Sequence, residues 1–483
     1  MISKLIARTI ILLFLFNTNP SFSQFFSGAE ISYDHIAGNG YKLSVVFYRN
    51  CQGQQAPETI SIVCSSITNP SYNCIATANK ISYNVNEVTY SCSSEPTTCN
   101  GGNAYGVSVY LYETSSITLP PSPDWVFSYT SGCGSCTHDI FMFNGGYTVN
   151  ATLNNQIVAS NNSPEFDKYA KAVMQKCYYQ QFENSVVEQD GDSLVYSFTA
   201  ILNGFSNSLT YVSPYSPTQF LNGYCMIDPQ NGDMKLKSYS NIKSAYGIIV
   251  KEYREINGSY ELIGSITRSV DLIVYTSYNL VPMLSGIDTC LSCGFDTLSN
   301  SFNASIEEEV QSNFRINVLD SIVGGLWNNC ELSWDQGIQN ASFQTYNNNT
   351  DSVYGILSWV PQASDVRDQP YSFNVTVQDD ACPYNARNTY RYYLTVTPST
   401  IGFNDKKSEF RIRVLPNPAE DIISIAQEGI LCTEFQIYSI DGQIVKAFRV
   451  STNNSAVDIS ELKSGMYIIR AVNASFSQKI IKL

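Results

Sequence analysis

The residues able to do chemistry in this chain are few and clustered. Glu188, Asp190 and Asp192 alternate in the stretch Glu188-Gln189-Asp190-Gly191-Asp192-Ser193, just ahead of an apolar strand pattern. Carboxylates gathered in such a turn are a candidate calcium site, because calcium takes about six to eight oxygens from carboxylates and carbonyls. The competing account is a polar turn that caps the strand. Asp379 and Asp380, at the end of another strand pattern, pose the same choice.

The chain has two histidines, His35 and His138. Neither falls in a triad order or in a helix with the H-E-x-x-H pattern, so no residue is assigned a catalytic role. Cys133-Gly134-Ser135-Cys136, with His138 close behind, has the spacing of a redox dithiol or half of a zinc site. A redox dithiol opens a helix, whereas Ile140-Phe141-Met142-Phe143 reads as strand, and a second ligand pair is missing. Structural disulfides are the better account, there and at Cys290-Leu291-Ser292-Cys293. Glu30, Asp34 and Asp124 are the carboxylates an exported hydrolase would use as an acid and base pair, and such an enzyme is the alternative function class.

The elements that must position these groups are strands. Tyrosine and phenylalanine are abundant, charged residues are sparse and long stretches of 3.6-residue period are absent, so the chain reads as all-β. Formal net charge is −14, which makes nucleic acid and anionic lipid poor partners. The 14 cysteines are even in number and lie beyond the leader, the pattern of a disulfide framework in an oxidising compartment.

Met1–Ser23 has a basic start, an apolar run too short to span a bilayer and small residues before Gln24, which together make a signal peptide. No cysteine follows closely enough for a lipid anchor, and no transmembrane segment is expected. The length suggests roughly three or four domains. A cysteine-rich β-domain is placed at 24–160, with Cys51, Cys64, Cys74, Cys92, Cys99, Cys133 and Cys136. A second domain at 161–278 holds the acidic turn, Cys177 and Cys225. A third at 279–400 holds Cys290, Cys293, Cys330 and Cys382. Two of these counts are odd, which implies a bridge between domains or an unpaired thiol. In the second domain Phe166, Tyr169, Ala170, Val173 and Cys177 have helical spacing, yet an extended conformation is preferred there.

The last segment, 407–483, opens with Pro416-Asn417-Pro418-Ala419, which cannot lie inside a sheet. It continues through the hairpin signal Asp441-Gly442, the block Asp458-Ile459-Ser460 to Gly465-Met466-Tyr467, and the ending Lys479-Ile480-Ile481-Lys482. In that order these motifs resemble the C-terminal sorting domain of type IX secretion cargo. Cys432 falls within it. The resemblance implies a small β-sandwich that serves as an export address read by secretion machinery of the outer membrane, with Pro416, Asn417, Pro418, Asp441, Gly442, Gly465 and Tyr467 as its motif residues.

Upstream, Ala29-Glu30-Ile31-Ser32-Tyr33, Tyr48-Arg49-Asn50-Cys51-Gln52-Gly53, Leu119 to Ser128 and Asn161-Asn162-Ser163-Pro164 resemble gliding-motility-associated, adhesin-like surface proteins. The stretches Asp190 to Ser197 and Ile227-Asp228-Pro229-Gln230 resemble immunoglobulin-like and cadherin-like repeats. Together they imply tandem β-sandwich domains, secreted or held at the outer-membrane surface, that bind a glycan or a surface protein. A structural spacer is the third reading.

Overall fold

The computed structural model describes residues 26–81, 86–131, 138–142, 146–203, 207–286, 294–296, 301–320, 328–398, 411–428, 434–440, 442–472 and 476–483. Contacts divide these into two compact units. The first takes the residues up to Val281 together with Asp379–Arg387, and the second takes the described residues of Pro282–Gln378 and of Asn388–Leu483.

The first unit is built on one long hairpin. Ile242–Ile256 and Ser259–Tyr275 pair antiparallel across Asn257-Gly258, both at positive φ, the conformation a two-residue hairpin turn of matching twist requires. Ser193–Thr199 adds to the outer side of Ile242–Ile256. The other edge of Ser259–Tyr275 carries two partners in succession, Thr148–Leu153 at residues 264–266 and Phe26–Ala37 at residues 268–270. From Phe26–Ala37 the sheet runs through Gly40–Asn50, Val107–Thr114, Asn73–Lys80, Thr59–Ser66 and Trp125–Thr130 back to Thr148–Leu153. The hydrogen-bonded circuit therefore closes on itself through Ser259–Tyr275.

Period-two alternation explains what the ring encloses, since every second side chain of a strand faces one side. Ile31 and Tyr33, Leu43, Val45 and Phe47, Ile60 and Ile62, Phe127 and Tyr129, and Ile266, Val270 and Leu272 all enter one buried cluster. Each such side chain contributes about 1.5–3 kcal/mol when fully removed from water. The boundary expected near residue 160 falls inside this circuit, because strands from both sides of it share one sheet and one core. The segment Phe166–Cys177 is not helical: Val173–Gln175 lies parallel to Ser259–Tyr275, and Cys177 turns at φ +74°.

The second unit contains a sandwich. One sheet is ordered Met283–Leu284, Ser312–Leu319, Tyr354–Trp359, Ser342–Tyr346; the other runs Gly294–Asp296, Ser301–Glu307, Arg387–Thr397, Tyr371–Asp379, Cys330–Trp334. Phe373, Val375 and Val377 alternate inward, as do Tyr392, Leu394 and Val396, onto Ile316, Leu357 and Trp359.

The C-terminal segment has a core of its own. Arg411–Leu415, Ile422–Glu428 and Asn454–Asp458 form one sheet, and Ile444–Arg449, Glu434–Ser439, Gly465–Ala471 and Ser477–Lys482 form the other. Val414, Ile423 and Ile425 from the first cluster with Phe435, Ile437, Ile469 and Ile480 from the second.

Candidate functional site

The acidic turn sits where two strands meet. Val186–Val187 pairs with Glu165–Phe166, and the chain then turns so tightly that the Glu188 carboxylate accepts from the amides of Asp190, Gly191 and Asp192 at 2.8, 2.6 and 2.8 Å. Gly191 has φ +82°, a conformation glycine enters without steric cost. The next strand sets the register, with Ser193 opposite Tyr253 and Leu194 opposite Glu252. By alternation Asp192, Glu252 and Arg254 share one face. The register of the long hairpin shifts between Glu252 and Tyr253, so Glu252 stands beside a β-bulge, a device that re-aims side chains.

Arg254 grips this turn. Its Nε and Nη2 donate to both oxygens of Asp192 at 2.7 and 2.5 Å, a two-pronged geometry that makes guanidinium–carboxylate pairs strong. Nη2 also reaches Asn161 Oδ1 at 2.6 Å and Asp190 Oδ2 at 3.4 Å. Its hydrogen bonds to Asp192 are the main reason the Arg254 guanidinium is held even more firmly protonated. Asp190 turns away from the other two carboxylates of the motif and accepts from Asn162, N at 2.7 Å and Nδ2 at 3.0 Å.

The third carboxylate of the cluster comes from elsewhere. One oxygen each of Glu188, Asp192 and Glu252 lie within 4.8 Å of one another. Glu252 is fully buried; its Oε2 accepts from Asn161 Nδ2 at 2.7 Å, and its Oε1 has no hydrogen-bond partner among the described residues. Burial pushes its pKa up to about 8, opposed by the Asn161 hydrogen bond and reinforced by the charges of Asp192 and Glu188. A Cβ on Gly264 would come 2.5 Å from Tyr33 Oη and 2.7 Å from Glu252 Oε2, so only glycine leaves room for this carboxylate. Sequence reasoning missed Glu252. Its signal was its place in the alternation Ile248, Val250, Glu252, the buried face of a strand whose neighbouring positions include Lys251 and Arg254.

The other carboxylates and histidines are each held by partners of their own. Glu30 meets Arg268 and accepts from Tyr48 Oη at 3.3 Å. Asp34 lies 3.6 Å from Lys42. Asp124 accepts from Ser66 Oγ at 2.8 Å and from the amides of Ile67 and Thr68 at 3.1 and 2.9 Å. Burial works against its charge, but the hydrogen bonds from Ser66, Thr68 and Ser122 hold its carboxyl below the ordinary range. Each of the three carboxylates thus has its own structural partners. Asp379 closes its turn by accepting from Ala381 N at 3.1 Å and Ala386 N at 2.6 Å.

His138 is buried against Asp271, Nε2 to Oδ1 2.8 Å, with Tyr147 Oη 3.0 Å from the same oxygen. His35 is half-buried and bonds Gly38 O at 2.8 Å. Cys51 is bridged to Cys99 and Cys92 to Cys382. The second bridge joins the segments expected as first and third domains, and both its ends lie in the first unit. Cys64 stands directly opposite Cys74 in the ladder of Thr59–Ser66 with Asn73–Lys80; Cys177 and Cys225 are thiols, and Cys330 Sγ lies 3.6 Å from Asp320. Cys133, Cys136, Cys290, Cys293 and Cys432 lie outside the described residues, as does Asp441.

The C-terminal motif residues lock the segment's two ends together. Asn417 Nδ2 donates to Lys479 O at 2.6 Å and its Oδ1 accepts from Ile481 N at 2.8 Å, standing in for a strand partner between Pro416 and Pro418, neither of which has an amide hydrogen. Ala419 N then donates to Ile481 O and Leu483 N to Ala419 O, 2.8 and 2.9 Å. Gly442, at φ +84°, closes a turn on Ser439 O. Tyr467 follows Gly465 on one strand and donates to Lys463 O at 2.8 Å.

Residues 413–483 match the family of secretion system C-terminal sorting domains. The chain is therefore cargo of the type IX secretion system, bound for the cell surface or the medium, and its sorting domain engages that machinery. No curated protein matches the sequence. Similar solved structures include the N-terminal four immunoglobulin domains of Dscam1 isoform 6.44, 10% identical over 95% of this chain and 99% of that one, TM-score 0.18. Mouse clustered PcdhgC3 EC1-3 is 9% identical over 54% of this chain and 84% of that one, TM-score 0.16. Domains 1-6 of surface layer protein SbsC are 8% identical over 94% and 67%, TM-score 0.17. Among the described residues no helix is long and apolar enough to cross a membrane.

Proposed function

We propose that the exported part of this chain is a non-enzymatic binding module for adhesion, and that its ligand is an acidic polysaccharide. The observation that carries the reading is one surface of the first unit. Gln180–Phe182, Met234–Ser238 and Gly223–Ile227 form a small sheet. On it Tyr179 and Tyr239 are about half exposed, and Tyr224 meets Tyr179 edge-on at 5.7 Å. Lys235 and Lys237 bring their ammonium groups 5.1 and 4.6 Å from the Tyr179 ring, and Lys237 lies 5.0 Å from Tyr239. Flat rings offer stacking surface to sugars, and paired ammonium groups in an otherwise acidic chain offer charge to carboxylated or sulfated ones.

The test is retention of the mature chain on immobilised acidic and neutral polysaccharides, with wild type beside Tyr179→Ala/Tyr239→Ala and Lys235→Glu/Lys237→Glu. Salt-sensitive retention lost in both variants supports the proposal. Retention that both variants keep, or a wild type that never binds, sinks it. Deleting 411–483 should trap the chain inside the outer membrane and leave its ligand binding intact.

A further inference from the structure

We infer that Glu188, Asp192 and Glu252 form a calcium site that ties the acidic turn to the long hairpin. The three oxygens, within 4.8 Å of one another, have the spacing of ligands around one calcium ion, whose oxygens sit at about 2.3–2.6 Å. An acidic turn alone would be a capped loop. Glu252 is the independent observation. It is fully buried, one oxygen is taken by Asn161, and Oε1 has no donor among the described residues. A buried carboxylate is paired or coordinates a metal, and without either it takes up a proton.

The electrostatics point the same way. Glu188, Asp190, Asp192 and Glu252 gather four carboxylates, and Arg254 is the guanidinium that faces them. Arg254 uses one lone pair on each Asp192 oxygen, and a carboxylate oxygen has a second to give. Three amides fix Glu188, the bulge and the Gly264 gap fix Glu252, and the guanidinium fork fixes Asp192, so little side-chain ordering remains when the ion binds. Three protein carboxylates leave coordination positions for water, the arrangement of extracellular modules with dissociation constants of about 10⁻⁴–10⁻³ M. The residue set differs from the sequence triad, because Asp190 is spent on Asn162 and Arg254 while Glu252 takes its place.

The experiment is a terbium titration of the intact mature chain, exciting tyrosine, followed by competition with calcium and with magnesium. Tyr33 is the antenna, its Oη 3.2 Å from Asn161 Nδ2, which itself bonds Glu252. The expected result is saturable emission displaced by calcium, with affinity weakened at least roughly tenfold in Glu252→Gln and retained in Asp190→Asn. Calcium at ten times its dissociation constant should also shift the folding equilibrium about elevenfold toward the native state. Absence of saturable emission in wild type, equal affinity in Glu252→Gln, or loss in Asp190→Asn overturns the assignment. Should Glu252→Gln fail to fold, the wild-type titration and Asp190→Asn decide it.

Discussion

Replacing Arg268 with methionine probes a fully buried charge in the first unit. The side chain is 0% exposed and that of Glu30 is 8% exposed. Besides Glu30, Arg268 Nη1 holds Asn184 Oδ1 at 3.0 Å and Nη2 holds Lys168 O at 2.6 Å, with the Phe166 ring centroid 3.6 Å from its Cζ. Methionine fills much of the volume but leaves Glu30 with Tyr48 alone. Stranding one member of a buried ion pair costs about 3–5 kcal/mol, and in a unit of this size about 1 kcal/mol lowers Tm by about 2–4 °C. A Tm loss of about 6–20 °C is expected. Glu30→Gln/Arg268→Met should recover over half of that cost, since no charge is then stranded.

The pH dependence fixes the cause. Burial already raises the Glu30 pKa, with Arg268 pulling it down; without the guanidinium it rises further. A carboxyl whose folded pKa exceeds its unfolded value loses stability as pH rises between the two. The deficit of Arg268→Met should therefore be smallest near pH 4 and grow above about pH 5. Scanning calorimetry of wild type, both single variants and the double variant at several pH values measures this. A loss under about 1 kcal/mol, strict additivity, or a pH-independent deficit would refute the reasoning.

Asn417→Ala removes two hydrogen bonds to the last strand, so the sorting domain should lose about 1–3 kcal/mol, read as faster hydrogen exchange at Ile481 and a lower yield of exported protein. Cys64 and Cys74, directly opposed in their ladder, are within disulfide reach; in protein recovered from the medium they should resist alkylation until reduced and then label together. Burial, then the charge of Arg387, lowers Lys171 to about 7. Its unfolded form binds a proton that the folded form lacks, so stability should rise with pH between about 7 and 10. Lys171→Met should flatten that rise in a denaturation series.

What was legible in the sequence is what short-range pattern encodes. The sorting domain announces itself through local motifs, and Phe373, Val375 and Val377 point inward as their alternation implies. The acidic turn was visible for the same reason, its carboxylates falling within five residues. The partner that completes the cluster was not, because Glu252 arrives through a strand register some 60 positions on, and pairing across such distance leaves no mark on either segment alone. The boundary expected near residue 160 fails to divide the sheet for the same reason: nothing in Phe26–Ala37 says that its second edge belongs to residues 268–270. Asp190 illustrates a further limit, since its type suited a metal while Asn162 and Arg254 claimed it.

Closure of the circuit on Ser259–Tyr275 sets a timetable for the newborn chain. Glu30 and Arg268 are 238 positions apart, and Cys92 waits for a partner 290 positions later. At roughly 5–20 residues per second of synthesis, the first strand spends roughly 10–50 s with a bare edge. Bare edges invite pairing with other chains, and contacts this distant in sequence form slowly. Since the sorting address at 413–483 follows every strand of the circuit along the chain, the chain cannot be presented to the outer-membrane machinery before the segments needed to close the circuit exist. Placing the address downstream of the circuit thus couples departure to closure of that circuit.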